Sequence, residues 1–152
     1  MRMNQIYTLL VGIHIFAAIL GAGPLLLSNV ILKSAKDLSE LKYAHQGVEK
    51  LNKAATIGWI TLLPTGLLMG WINPSLFRML WFDTSIALFV VFSLYSEVVI
   101  GSKMKTLHEL IKTCESEEIP QQYKTLSSKL TPYDWFGKLL VVAIILLMVF
   151  KP

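Results

Sequence analysis

Long apolar runs alternate with shorter, lysine-containing segments along the whole chain. A helix that crosses a bilayer needs about 20 mostly apolar residues. Four runs reach or nearly reach that length, and they cover residues 6–32, 55–72, 84–102 and 132–150. The pattern therefore predicts an all-α, integral membrane four-helix bundle, with residues 1–152 forming a single domain.

The polar connections refine this prediction. Residues 38–53 and 103–118 contain helix-forming residues and few breakers, so we expect them to prolong spans two and three beyond the membrane. Thr131, Pro132 and Asp134 have the order of an N-cap, a first-turn proline and a first-turn acid, which predicts a helix that begins at this point. The rest of the fourth span is almost uniformly apolar, and we expect it to face lipid.

Composition agrees with a membrane protein. Hydrophobic residues make up 54 % of the chain and charged residues only 16 %, with a mean hydropathy of +0.57. Soluble domains usually carry about a quarter charged residues. The net charge of +4 lies between apolar segments and forms no continuous basic stripe, so we predict the lipid bilayer, and no nucleic acid, as a partner.

The basic residues also predict an orientation. Eleven of the 14 lysines and arginines fall in segments 33–53 and 103–138, and only Arg2, Arg78 and Lys151 fall elsewhere. Loops rich in lysine and arginine stay on the cytoplasmic side. We therefore expect both termini outside, cytoplasmic extensions of spans two and three, and a multi-pass location in a bacterial-type cytoplasmic (inner) membrane.

One histidine stands out in the first span, in the stretch "GIHIFAAILGAG". A polar side chain inside a span is costly and is a functional-site hypothesis by default. His14 lies about 12 Å below the outer helix end at 1.5 Å per residue. It is a candidate cofactor ligand or redox-site residue, and a structural hydrogen bonder or a proton relay are the alternatives.

Small residues accompany His14 on this helix. Ala17, Ala18 and Gly21 leave room for a second backbone or for a flat cofactor, and Trp59 of span two is a candidate to pack on such a cofactor. Plain helix packing explains the small residues equally well, but it does not explain the histidine.

Few side chains can share a metal with His14. His45 and His108 lie beyond the inner ends of their spans, about 20 Å or more away along the membrane normal, and we interpret both as solvated surface histidines. Met69 and Met148 lie at a suitable depth, and a methionine thioether can ligate haem iron. A second copy of His14 from a neighbouring chain, or no second ligand, are the remaining possibilities.

Glu97 is the one acid that we place well inside a span. It is either a carboxylate near the inner interface, paired with a lysine, or part of a quinone site or proton path.

Three stretches of the chain resemble a known group of membrane proteins. They are "LLVGIHIFAAILGAGPLLLSNVIL", "VEKLNKAATIGWITLLPTGLLMGW" and "LWFDTSIALFVVFSLYSEVVIGSKMKTLHEL". The chain resembles the small four-span proteins grouped with HemJ-type protoporphyrinogen oxidase and the CopD membrane domain, and most nearly the members without an assigned activity. The resemblance implies haem b ligated by His14. It does not imply protoporphyrinogen oxidation, because the group is expected to carry a further histidine where this chain has Tyr95, Ser96 and Glu97.

Two functional hypotheses follow. The first is a haem-b-binding membrane protein in electron transfer, with quinone as a possible partner and His14 as axial ligand; it leaves membrane haem oxidoreductase activity open. The second is a cofactor-free accessory or assembly subunit of a larger membrane, for example respiratory, complex. In either case we expect a homo-oligomer or a subunit of a larger assembly. A transporter fits less well, because a transport path usually shows more intramembrane polar groups than His14 and Glu97.

Overall fold

The computed structural model describes residues 2–114, 116 and 118–151, and in this part of the chain every element is helical. Helix α1 spans Arg2–Lys33 and helix α2 spans Leu38–Ile72. A 3₁₀ turn, Pro74–Arg78, leads into α3, Leu80–Tyr95. A π-helical segment, Ser96–Gly101, joins α3 to α4, Ser102–Lys112, and α5 spans Gln121–Phe150.

Four helical rods are long and apolar enough to cross a membrane: α1, α2, the continuous rod Leu80–Lys112, and α5. The 35 residues of α2 measure about 52 Å at 1.5 Å per residue, against about 30 Å of bilayer hydrocarbon. One end of α2 must therefore protrude. Its first half carries the lysines and glutamate of "LKYAHQGVEKLNK", so residues 38–54 form the protruding part and the span begins near Ala55.

The predicted helical extension of span two is confirmed, and that of span three is confirmed only as far as Lys112, where α4 ends short of the predicted residue 118. Helix α5 has an extension as well. The expected helix start at Thr131 and Pro132 is wrong, because α5 begins at Gln121 and runs through Pro132. The Thr131 hydroxyl donates to the Ser127 carbonyl within the helix instead of capping it. Burial of Tyr123 and Leu130 against α2 and α4 explains why the polar segment stays helical.

We call the end of the bundle that holds the 34–37 connection and the polar parts of α2, α4 and α5 the lysine-rich end. Its core is a cluster of six buried residues, Leu38, Leu41, Leu107, Ile111, Tyr123 and Leu130. Asp37 begins α2 there: its carboxylate accepts from the Glu40 amide at 2.8 Å, while the Glu40 carboxylate accepts from the Lys36 amide at 2.8 Å. This reciprocal cap satisfies two amides at the helix start.

Inside the spans, the most extensive helix–helix contact is between α1 and α2, and α5 packs mainly on α3. Two apolar clusters join these pairs. One holds Met69, Leu76, Trp81 and Phe82 near the chain termini, and the other holds Ala22, Phe92 and Val141 nearer the lysine-rich end. His14 lies between these two levels, on the face of α1 that meets α2.

Candidate functional site

The His14 side chain is held by a threonine of the neighbouring helix. Its Nδ1 lies 2.7 Å from the Thr65 hydroxyl oxygen, and Gly66 lies beside the ring, where a Cβ at residue 66 would be 3.5 Å from the His14 Cε1. Thr65 is buried and His14 is half-buried. Both residues come from the apolar middle of their helices, so the bond lies within the membrane-spanning part.

The Thr65 hydroxyl determines which imidazole nitrogen carries the proton. Its oxygen lies 2.7 Å from the Thr61 carbonyl and 3.0 Å from the Leu62 carbonyl. A hydroxyl has one hydrogen, and these carbonyls can only accept, so Thr65 donates to its own helix and accepts from His14. We therefore assign the proton to Nδ1 from the hydrogen-bond network. The neutral ring then carries its lone pair on Nε2, the nitrogen that a metal would bind.

The small residues that follow His14 contact α2. A Cβ on Gly58 would lie 2.6 Å from the Ala17 carbonyl oxygen and 2.6 Å from the Gly21 amide nitrogen, so only glycine allows the two backbones to meet this closely. Ala17 is 4 % exposed and Ala18 is half-buried. The indole of Trp59 covers Gly21, with its Cε2 3.3 Å from a Cβ built there.

Trp59 also links α2 to the third rod. Its ring centroid lies 4.9 Å from that of Phe92 and 5.5 Å from that of Phe89. Trp59 therefore fills the space between Gly21 and α3, and the face formed by Ala17 and Gly21 is occupied by side chain and backbone of α2.

Met69 and Met148 both belong to the apolar cluster around Trp81 and Phe82, in which Met69 is buried and Met148 is half-buried. Met69 of α2 and Met148 of α5 therefore pack in the same apolar cluster. Within the described part of the chain, no group of three histidine, cysteine or carboxylate side chains is arranged to hold a metal ion.

A family model for a predicted integral membrane protein, DUF2269, matches residues 8–152. The chain belongs to this family. The match begins within the first span, covers the other three, and includes His14, Thr65 and Trp59. No curated protein and no solved structure matches the DUF2269 chain. The resemblance to the HemJ and CopD group accordingly stays an expectation.

Glu97 of the DUF2269 chain lies in the π-helical segment and is exposed on the surface of the third rod. Its carboxylate makes no hydrogen bond or ion pair with any residue that the structure describes. The fold separates it from His14, since residues 96–101 adjoin the lysine-rich end. A proton-path or quinone-site role of Glu97 stays a prediction.

At the lysine-rich end, the DUF2269 chain brings two histidines together. The interpretation of His45 as a solvated surface residue is wrong: it is 4 % exposed, and its Nε2 lies 2.9 Å from the Tyr123 hydroxyl. The His108 ring centroid is 5.9 Å away. Burial, and secondarily the charge of His108, lowers the pKa of His45 to about 4, and burial raises the pKa of Tyr123 to about 12. His45 and Tyr123 both lie outside the membrane spans.

Sequence reasoning missed a buried ion pair in the fourth span. The Asp134 carboxylate accepts from the Asn29 amide of α1 at 2.5 Å and lies 2.9 Å from the Lys138 ammonium. The Asp134 and Lys138 side chains are 12 % and 11 % exposed. The expectation that this span is uniformly apolar and faces lipid is therefore wrong at its first turns. The spacing of four between an acid and a lysine in an apolar run is the signal that could have found this pair.

Proposed function

We propose that this DUF2269 protein binds haem b in the membrane, with Nε2 of His14 as an axial ligand, and takes part in electron transfer. The observation that carries the proposal is the His14–Thr65 bond of 2.7 Å. Histidines that bind metals usually donate their other ring N–H to an oxygen of the protein, which fixes the tautomer and makes the ligand more basic. Thr65 supplies that oxygen inside a span, where a polar side chain needs a reason to be present.

The residues around His14 fit part of this role. In the assigned tautomer the ring has an unprotonated Nε2, and Gly66 lets α2 pack beside the ring, since a Cβ at residue 66 would lie only 3.5 Å from Cε1. The Ala17 and Gly21 face is covered by Gly58 and Trp59, so in this proposal those residues hold α1 against α2 and the macrocycle does not lie on that face. Ala18 is the half-buried small residue one turn from His14 that remains beside the ligand.

The second axial position distinguishes three versions of the proposal. Met69 supplies it if the cluster around Trp81 rearranges, a second copy of the chain supplies it in a homo-oligomer, or the iron stays five-coordinate. Bound haem supplies one-electron redox chemistry, and its potential is set by the ligands and by burial. A membrane quinone is the class of electron partner that a protein confined to the bilayer can reach, and Glu97 is the candidate carboxylate for the accompanying proton.

Absorption spectroscopy tests the proposal. The protein is purified in detergent from haem-replete cells, and spectra are recorded before and after dithionite reduction, with haem content measured as the pyridine complex. We expect a Soret band and reduced α and β bands that are lost in His14→Ala. His108→Ala is the matched control, because it removes a half-buried histidine from the lysine-rich end. A colourless wild-type protein, or equal haem content in His14→Ala, would overturn the proposal.

A second candidate is the cofactor-free accessory or assembly subunit of a larger membrane complex. The close approach of Gly58 to Ala17 and Gly21 favours it, since helix packing alone then accounts for the small residues. This candidate predicts that the protein is colourless. It also predicts that the protein reproducibly co-purifies with one larger membrane complex when the membranes in which it naturally occurs are extracted with detergent.

The proposed orientation places the lysine-rich end in the cytoplasm of a bacterial-type cell. Single cysteines introduced at Lys50 and at Arg78 in a Cys114→Ser background test it. A membrane-impermeant maleimide applied to intact spheroplasts should label the cysteine at residue 78 and spare the one at residue 50, and the reverse pattern contradicts the orientation.

A further inference from the structure

A cavity of about 350 Å³ opens at the lysine-rich end, between the end of α1, α4 and the first half of α5. It is separate from His14, which does not line it. The lining residues show where the cavity lies along the membrane spans. Lys33 ends the apolar run of α1, and Ser127 and Thr131 precede the apolar run of α5. The cavity therefore lies where two membrane spans end, at the level of lipid headgroups.

The mouth of the cavity carries two lysines whose ammonium groups pair with no residue that the structure describes. Lys33 and Lys124 line the cavity and are exposed, and the Ser127 hydroxyl lies on the same wall. None of these three side chains makes a hydrogen bond or an ion pair with another described residue. Within the described part of the chain, these two ammonium groups and this hydroxyl are therefore donors without an acceptor.

Asp134 is the one acid among the described residues that line the cavity, and it does not supply that acceptor. Its carboxylate is already bonded to the Lys138 ammonium at 2.9 Å and to the Asn29 amide. The charge of Lys138 cancels the charge of Asp134, so among the described lining residues the two lysines at the mouth leave a surplus of positive charge.

Apolar side chains also line the cavity, among them Leu32, Met104 and Ile119. A free inorganic anion gains nothing from contact with apolar side chains, whereas the glycerol and upper acyl region of a lipid packs against them. Basic pockets between membrane helices bind the headgroups of anionic lipids. We propose that this cavity binds an anionic phospholipid, with Lys33, Lys124 and Ser127 donating to its phosphate and the apolar wall contacting its glycerol backbone.

Binding to the purified, detergent-solubilised chain tests this inference. Phosphatidylglycerol is titrated and the bound fraction is read by native mass spectrometry, with phosphatidylcholine and inorganic phosphate as parallel probes. Each lysine near an anionic lipid surface contributes a factor of about five in affinity, so Lys33→Gln combined with Lys124→Gln should weaken phosphatidylglycerol binding about 25-fold. The matched control changes Lys50 and Lys105 to Gln, since both are exposed at the same end but lie outside the cavity. It should keep affinity within about twofold.

Circular dichroism and the unfolding midpoint without lipid confirm that each variant is folded. If the double lysine variant does not fold, Ser127→Asp places a negative charge at the mouth and should also weaken binding. Equal loss in the control pair, equal binding of phosphatidylcholine and phosphatidylglycerol, or saturation by inorganic phosphate at the same concentration would each overturn the proposal. Loss confined to the cavity variants supports it.

Discussion

The Asp134 carboxylate and the Lys138 ammonium lie 2.9 Å apart, one helical turn from each other on α5, and are about one-tenth exposed. An Asn29 amide from α1 completes the contact. A second pair with the same spacing, Glu49 and Lys53, also lies 2.9 Å apart on α2, but its side chains are 52 % and 74 % exposed. The chain thus contains a buried and an exposed version of one arrangement.

This comparison predicts unequal effects of removing the two lysines. Lys138→Met leaves the Asp134 charge buried and unpaired, which should cost about 3–5 kcal/mol of unfolding free energy. Lys53→Met should cost less than about 1 kcal/mol, since an exposed pair contributes little. Unfolding in mixed detergent micelles, followed by circular dichroism, measures both. Combining Lys138→Met with Asp134→Leu should recover most of the loss, and a double variant as unstable as the single one would contradict the argument.

The contact between α1 and α2 predicts opposite effects of alanine at two glycines of α2. Gly58→Ala forces the backbones apart, because its Cβ meets the Ala17 carbonyl at 2.6 Å, and should destabilise the protein by about 1–3 kcal/mol. Gly47→Ala meets nothing within 4 Å and should stabilise the same helix by up to about 1 kcal/mol. The unfolding midpoint in detergent measures both changes in stability. If both substitutions shift the midpoint in the same direction, the close approach of the two backbones does not determine the need for glycine at residue 58.

The orientation of His14 predicts how its neighbours affect a bound haem. Thr65→Val removes the oxygen that accepts from Nδ1, and loss of such a partner weakens metal affinity about 10–100-fold. Thr65→Ser keeps the hydroxyl and should keep the affinity. Thr61→Val is the control, because the Thr61 hydroxyl bonds the Ile57 carbonyl at 2.7 Å and does not touch His14. Haem titration into the apoprotein measures all three, and equal affinities across the set would remove Thr65 from the site.

Burial of His45 predicts a loss of stability at mildly acidic pH. Its pKa is about 4 in the folded chain against an ordinary value of 6.5. The unfolded chain therefore binds the extra proton between these values, and stability rises with pH in this window. The contribution is complete above pH 6.5 and is lost as the pH falls toward 4. His45→Gln should flatten the slope of unfolding free energy against pH, while Tyr123→Phe keeps the histidine and should keep the slope.

The sequence predicts the four spans because each is a run of apolar residues long enough to be recognised alone. The helical extensions of spans two and three were also predictable, since their residues favour helices locally. The extension of α5 was not, because Thr131, Pro132 and Asp134 match a helix start. Burial of Tyr123 and Leu130 against α2 and α4 outweighs that local pattern, and such burial depends on residues distant in sequence.

The candidate site was predictable to a similar extent. His14 stands out as a polar residue in an apolar run, but its partner is 51 positions away and was only one of several threonines in the second span. The pairing of His45 with Tyr123 across 78 positions likewise depends on how the polar helix ends pack. Asp134 and Lys138 were within reach, since a spacing of four places them on one helix face.

The contact of Gly58 with Ala17 and Gly21 also bears on how the protein is made. A four-residue connection, 34–37, joins the two helices, and their closest contacts involve no residue beyond Ile72. The close contact between the first two spans therefore needs no residue of α3, so this helical hairpin is able to pack as soon as both spans have been synthesised. It can enter the bilayer as one unit and serve as the template on which the second half of the chain assembles.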